Sequence, residues 1–340
     1  MVFDFHDLAV PVLIAPMAGG PSTPELAAAG TEAGGLGFIP AGYLSADVFA
    51  DRLAVTQQLT TGPVGANLFV PQPSRAASAD IEAYAVRLAG EARRYGVSPG
   101  EPRFDDDHWR AKLEVLLDVR PAVVSFTFGL PSVAERRRLG DAGIATVGTV
   151  TTLSEARQAA ECGVDAVVAQ GPLAGGHRGT FDATARPSED PLEELLAATT
   201  AALDIPVIAA GGLMNAGDVR RVRRRGAVAA QLGTAFLLAD EAGTSAVHRA
   251  ALRDPRFTET VVTKAFSGRY ARGLHNRFID EMGADAPFGY PEVHHLTSPV
   301  RAAAVRAGDP EGVSVWAGTG YRQAEAAAVA SIFEKLKDGT

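Results

Sequence analysis

Short apolar runs alternate with longer amphipathic stretches along most of this chain, and that alternation constrains the fold more than any single motif. The runs are Val12 to Ala15, Leu36 to Ile39, Val64 to Leu68, Ala122 to Phe126, Ala145 to Val150, Ala166 to Gln170, Pro206 to Ala209 and Val228 to Leu232. Segments such as VLIA and VDAVVAQ are apolar at consecutive positions, as expected of strands covered on both faces. The stretches between them carry helix signals. Thr23-Pro24-Glu25 offers a cap, a proline for the first turn and an acid, and Thr152 opens a segment that stops at Gly163. Asn215-Ala216-Gly217-Asp218 opens another that closes at Gly226. Eight strand–helix repeats predict an α/β fold, a (β/α)8 TIM barrel, with an open doubly wound sheet as the alternative.

Two regions depart from the repeat. Residues 71–121 are too long for one crossover and hold two helical patterns, Ala79 to Tyr95 and His108 to Asp118, so they form an insertion between strands three and four. Residues 241–340 extend the chain with a helix near Gly243 to Arg253, an irregular Gly/Pro/His stretch and a final helix from Gln323 to Leu336. Neither has the make-up of an independent unit. Residues 1–340 therefore read as a single barrel domain whose mouth is capped by both.

Composition narrows the function. A net charge of −8 argues against tracking nucleic-acid phosphates, and the Arg220 to Arg225 cluster reads as a solvated helix face. No segment approaches the roughly 20 apolar residues needed to span a bilayer, and MVFDFHDLAV lacks a basic start before an apolar run, so a cytoplasmic protein is expected. The single cysteine, Cys162, excludes an internal disulfide and reads as a small buried packing residue. The histidines outside position 177 show no H-x-x-x-H or H-E-x-x-H spacing, so no metal site is expected. Homo-oligomerisation is left open.

In a barrel of this kind, chemistry sits at the carboxyl ends of the strands, and the loops after strands seven and eight commonly hold a phosphate. Strand seven leads into Ala210-Gly211-Gly212, and strand eight into Gln231-Leu232-Gly233-Thr234, each before a helix start. Glycines admit close backbone approach and helix starts point N–H groups at an anion, so the pair reads as a phosphate cradle. Strand six ends in a glycine-rich loop from Gln170 to Gly179 that carries His177. An imidazole there can accept a proton or, once protonated, steady an anion. The glycines at 19–20 and 34–37 do not match G-x-G-x-x-G, which excludes a Rossmann fingerprint.

Several segments, in order, match a known family: Ala15-Pro16-Met17-Ala18-Gly19-Gly20, Gly65-Ala66-Asn67-Leu68-Phe69, Ser125-Phe126-Thr127-Phe128-Gly129, Ala174-Gly175-Gly176-His177-Arg178-Gly179, Ala209-Ala210-Gly211-Gly212 and Gln231-Leu232-Gly233-Thr234. On these the chain resembles the nitronate monooxygenases, formerly 2-nitropropane dioxygenases, and their class I branch in particular. The resemblance implies an FMN-dependent oxidoreductase that uses O2 to convert a small nitronate to a carbonyl compound and nitrite. It implies that Asn67 and Gln170 bond the flavin ring region, that Gly175 lies beside the cofactor, and that Gly212, Gln231, Leu232, Gly233 and Thr234 hold its phosphate. It makes His177 the base that takes a proton from a neutral nitroalkane. Thr127 stands where many class I members have a second histidine, and Thr319 where glutamine is expected. The segment Lys264 to Asn276, with Gly268, Arg269, Arg272 and Asn276, also resembles a family stretch and reads as structural or rim contacts. The competing readings are an FMN barrel that takes hydride from NAD(P)H to reduce quinones or an enoyl thioester, and a non-catalytic flavin-binding protein.

Overall fold

The computed structural model describes residues 3–337; Met1, Val2 and residues 338–340, the outer ends of the expected 1–340 unit and of the 241–340 extension, lie outside them. Eight parallel strands form the central sheet: β1 (Val12–Ile14), β2 (Gly37–Pro40), β3 (Val64–Phe69), β4 (Val123–Thr127), β5 (Ala145–Val150), β6 (Ala166–Gln170), β8 (Val207–Ala210) and β9 (Ala229–Leu232). A two-residue strand, β7 (Gly176–His177), interrupts the count and belongs to a second sheet. Strands β1 and β9 pair in parallel, and the ring closes at a parallel bridge between Leu13 and Leu36, where Ile14 N donates to Leu36 O at 2.9 Å. That seam decides for a closed (β/α)8 barrel over an open sheet.

Alternation along each strand explains the consecutive apolar runs. Leu13, Phe38, Val123, Val147, Val168, Ile208 and Ala229 belong to one buried cluster inside the ring. Their neighbours Val12, Ile14, Val167, Ala169, Val207, Ala209 and Ala230 pack outward against the helices. Both faces are therefore dry. Among the crossover helices, α1 (Pro24–Glu32) is capped by Thr23 with Pro24 in its first turn, and α6 (Leu153–Cys162) is capped by Thr152 and ends at Gly163, whose φ is +83°. Asn215 and Asp218 form a reciprocal capping box on α8 (Ala216–Arg223). Cys162 is half-buried rather than buried, its Sγ 3.4 Å from Pro131 O, because its helix ends at the barrel surface.

The insertion holds α3 (Ser78–Arg94) and α4 (Trp109–Val119). After β9, the chain forms α9 (Ala246–Arg253), the strands β10 (Thr260–Thr263) and β11 (Ala271–Leu274), then α10 (Arg277–Met282), α11 (Glu292–Ala307) and α12 (Val329–Lys337). Two expectations need correction here. The irregular stretch contains the 16-residue α11, whose helical pattern is hidden by an internal Pro299 and paired histidines. The final helix starts at Val329, six residues beyond Gln323, which closes a single 3-10 turn instead. Insertion and extension pack on each other: α3 and α11 share a cluster with Tyr84, Leu88, Phe266, Phe278 and Leu296. Buried Glu91 of α3 is gripped at both oxygens by Arg277 of α10, at 2.6 and 2.8 Å.

Candidate active site

The inward register that fills the barrel core continues upward into polar side chains. Pairing sets Gly65 opposite Val123 and Asn67 opposite Ser125, and Ala210 opposite both Gln170 and Gln231. Asn67, Ser125, Thr127, Gln170 and Gln231 thus fall on the face that points into the ring near its carboxyl end. The structure brings them together with His177.

Asn67 is 2% exposed, and its Nδ2 faces Ser125 O at 3.2 Å, Ser125 Oγ at 3.0 Å and Thr127 Oγ1 at 3.1 Å. Its N–H groups are consumed by β4, so Oδ1 is the atom left to accept from a ligand. Thr127 is part of this grip. Gln170 is also engaged: Nε2 donates to His177 O at 3.0 Å and Oε1 accepts from Gly179 N at 2.9 Å, which ties both sides of the following loop to β6.

That loop is not free glycine chain, as its composition suggested. Gly176 and His177 pair antiparallel with Arg272 and Ala271 of β11, so backbone hydrogen bonds hold the imidazole in place. His177 Nε2 lies 2.8 Å from Ser267 Oγ, and Ser267 Oγ donates to Arg269 O at 3.2 Å. A hydroxyl has one proton, so Ser267 must accept from His177 Nε2–H. The imidazole lone pair is therefore on Nδ1, which has no partner within the protein among the described residues. Burial, then the Arg269 and Arg301 cations, push the imidazole pKa from 6.5 down to about 3, so His177 is neutral at physiological pH.

Phe128, Tyr290 and Trp316 surround this imidazole with ring centroids 5.6, 5.9 and 5.6 Å away. Arg269 is not a rim contact. It is 1% exposed, its guanidinium stacks 3.9 Å from the Phe128 ring centroid, and it donates to Thr180 O. Arg272 and Asn276, by contrast, bond main-chain carbonyls: Arg272 those of Pro172 and Thr260, Asn276 those of Pro310 and Val313. Ser267, Tyr290 and His294 carried no sequence signal of a role, because they come from the extension rather than from strand ends.

A cavity of about 320 Å³ lies against Phe69, Phe128 and Tyr290, the rings that also pack on His177, and is walled further by Tyr43 and His294 and bounded by the insertion segment from Arg103 to His108. Tyr43 stacks face to face on His294 at 4.1 Å. Among the described residues, Tyr43, Asp107, His108, Arg120 and Phe128 are the non-glycine positions at positive φ, and all but Arg120 line this cavity. Such backbone costs about 1–3 kcal/mol per residue, and its concentration at one cavity marks a site held in shape by its surroundings.

The residues after β8 and β9 present unpaired polar atoms of the kind a phosphate-bearing flavin needs. Among the described residues the N–H groups of Gly211, Gly212 and Gly233 have no acceptor, and the buried Oε1 of Gln231 has no partner. Gly212 sits at φ +74°, where a Cβ would meet Leu173 Cβ at 2.8 Å. Thr234 Oγ1 accepts from Gly318 N at 2.9 Å, leaving its own proton to donate. The unmet donors fit an anionic group, while Gln231 Oε1 fits an N–H or O–H donor of the same ligand. Leu232 is core, at 1% exposure, and offers only main chain. Gly175 is required by packing: a Cβ there would lie 2.4 Å from Gly318 N. No metal-binding group of His, Cys, Asp or Glu occurs among the described residues. No helix among them is long and apolar enough to cross a membrane.

A closed barrel with an imidazole and orphaned main-chain donors at one end is the frame of a cofactor-using enzyme, and comparison with known proteins narrows it. The nitronate monooxygenase family model matches residues 2–339. A probable nitronate monooxygenase of Staphylococcus aureus is 38% identical over 322 residues, covering 92% of this chain and 89% of the relative. The solved nitroalkane oxidase from Streptomyces ansochromogenes is similar with a TM-score of 0.93 at 48% identity, over 98% of this chain and 96% of that one. FabK from Thermotoga maritima follows the same fold at a TM-score of 0.75 and 27% identity, over 98% and 94% of the two chains. The chain belongs to the nitronate monooxygenase family and is an oxidoreductase.

Proposed function

We propose that this protein binds FMN and oxidises alkyl nitronates to carbonyl compounds and nitrite, and that His177 Nδ1 also admits neutral nitroalkanes by removing their α-proton. The observation that carries the reading is the His177–Ser267–Arg269 chain, which commits Nε2–H to Ser267 and leaves an acceptor lone pair at the barrel mouth. A neutral imidazole is the form a base needs. When the proton leaves carbon for Nδ1, the C–H electron pair moves onto the nitro oxygens, and the resulting anion stabilises the new imidazolium. Asn67 Oδ1 would accept from the flavin ring, while the Gly211, Gly212 and Gly233 amides, Gln231 and Thr234 would hold its phosphate. Bound FMN supplies the electron acceptor for the nitronate. Two nitronates and one O2 balance two carbonyl products and two nitrites. We place the reaction in the cytoplasm, with a small-molecule substrate and O2 as the partners.

The test is to record the visible spectrum of the purified protein and assay nitrite under air with ethyl and propyl nitronates. A flavin spectrum with nitrite release is the expected result. A colourless protein that takes up no FMN would overturn the cofactor. Rapid anaerobic flavin bleaching by NAD(P)H without nitrite production would instead make it a reductase.

A further inference from the structure

We propose that the cavity lined by Phe69, Phe128 and Tyr290, the rings that also pack on His177, is a subsite for a flat aromatic substituent, which makes arylalkyl nitro compounds and their nitronates the preferred substrates; this rests on the reaction proposed above. Three observations converge on it.

The first is the composition of the wall. Tyr43 and Phe69 meet edge to face at 5.6 Å, Phe69 and Phe128 lie 4.8 Å apart, and Phe128 and Tyr290 meet at 5.5 Å. Together they form a continuous run of rings that ends against His177, 5.9 Å from Tyr290. A substituent attached to a carbon at His177 would extend along this run. Ring faces and edges favour another ring over an aliphatic group of equal size.

The second is that several charges on the wall are engaged within the protein. Lys112 pairs with Asp107 at 2.8 Å, His295 with Asp105 at 2.6 Å, and the Arg269 cation rests on Phe128. The rings of Tyr43, Phe69, Phe128 and Tyr290 share the remaining wall with Gln72, Arg75 and Asp106. The third is the strained backbone at Tyr43 and Phe128, which holds two of these rings in place. At about 320 Å³ the cavity lies at the small end of ligand pockets, enough for one ring and a short tether.

The experiment compares 3-phenylpropionate with 3-cyclohexylpropionate by isothermal titration calorimetry on the purified protein as isolated. Each carboxylate mimics a nitronate, and the two ligands have equal carbon counts. The phenyl ligand should bind about three- to tenfold tighter, and Phe69→Leu should bring the ratio close to one. Equal affinities, a cyclohexyl preference, or an unchanged ratio in both Phe69→Leu and Tyr43→Leu would overturn the proposal. The wild-type ratio needs no variant to fold. In parallel, the nitronate of 2-phenylnitroethane should exceed that of nitroethane in kcat/KM by a similar factor; equal values with ample nitrite release would sink the aromatic subsite while leaving the reaction intact. A phenyl preference in calorimetry with no nitrite from any nitronate would support aromatic recognition and remove the reaction.

Discussion

Arg301 Nη2 lies 3.2 Å from His294 Nδ1, and because a guanidinium can only donate, His294 must carry its proton on Nε2. Burial first, then Arg301, lower its pKa to about 2, so the ring stacked on Tyr43 stays neutral. Nitrogen-detected NMR should show Nε2 protonated throughout pH 5–8. Arg301→Leu removes a cation and should raise the His294 pKa; an unchanged or lower value would contradict the assignment.

His177, His248 and His294 are held neutral by burial, with pKa values lowered to about 3, 4 and 2. The unfolded chain binds protons at these residues below about pH 6.5 while the folded chain does not. Stability they contribute is thus complete above pH 6.5 and is lost as pH falls toward 4. Each can add up to about 1.4 kcal/mol of destabilisation per pH unit. Denaturant midpoints measured from pH 7.5 to 4.5 should fall; a flat profile would mean that these rings protonate in place.

In the proposed reaction Ser267 orients His177 through the 2.8 Å contact at Nε2. His177→Asn should lower kcat/KM for neutral nitroalkanes by about 10²–10⁴-fold and affect preformed nitronates much less. Ser267→Ala should lower nitroalkane turnover in the same direction but less steeply, and shift its pH profile, because the Nε2–H loses its acceptor. Equal losses on nitroalkane and nitronate in either variant would argue against proton transfer.

The course of the barrel was readable because most strand positions are apolar on both faces and several crossover helices begin with a cap residue whose side chain bonds the first turn, as at Thr23, Thr152 and Asn215. Local chemistry was enough there. His177 and the residues after the last two strands were legible as strand-end features of the same barrel. Ser267, Arg269, Tyr290 and His294 were not, since their place at the mouth depends on β11 pairing with β7 and on α11 packing against α3, contacts between segments nearly a hundred residues or more apart. Pro299 inside α11 further masked that helix.

Gly212→Ala should release flavin. An alanine at φ +74° costs about 1–2 kcal/mol, and its Cβ would press on Leu173. Circular dichroism should remain native while flavin retained through gel filtration drops. Full retention would remove Gly212 from the phosphate site.

Thr127 is worth a hydrogen bond to Asn67. Thr127→Val should destabilise the protein by about 1 kcal/mol and shift the bound flavin spectrum by freeing the Asn67 amide, and Thr127→Ser should restore both. A Val variant indistinguishable from wild type in urea melts and spectrum would show the contact to be idle.

His177 hangs from a backbone pairing between β7 and β11, whereas the outer edge of the neighbouring chamber is contributed by residues 103–108 of the inserted segment. The two parts can therefore diverge separately. Substitutions in that outer edge can reshape the chamber without disturbing the main-chain pairing that fixes the imidazole.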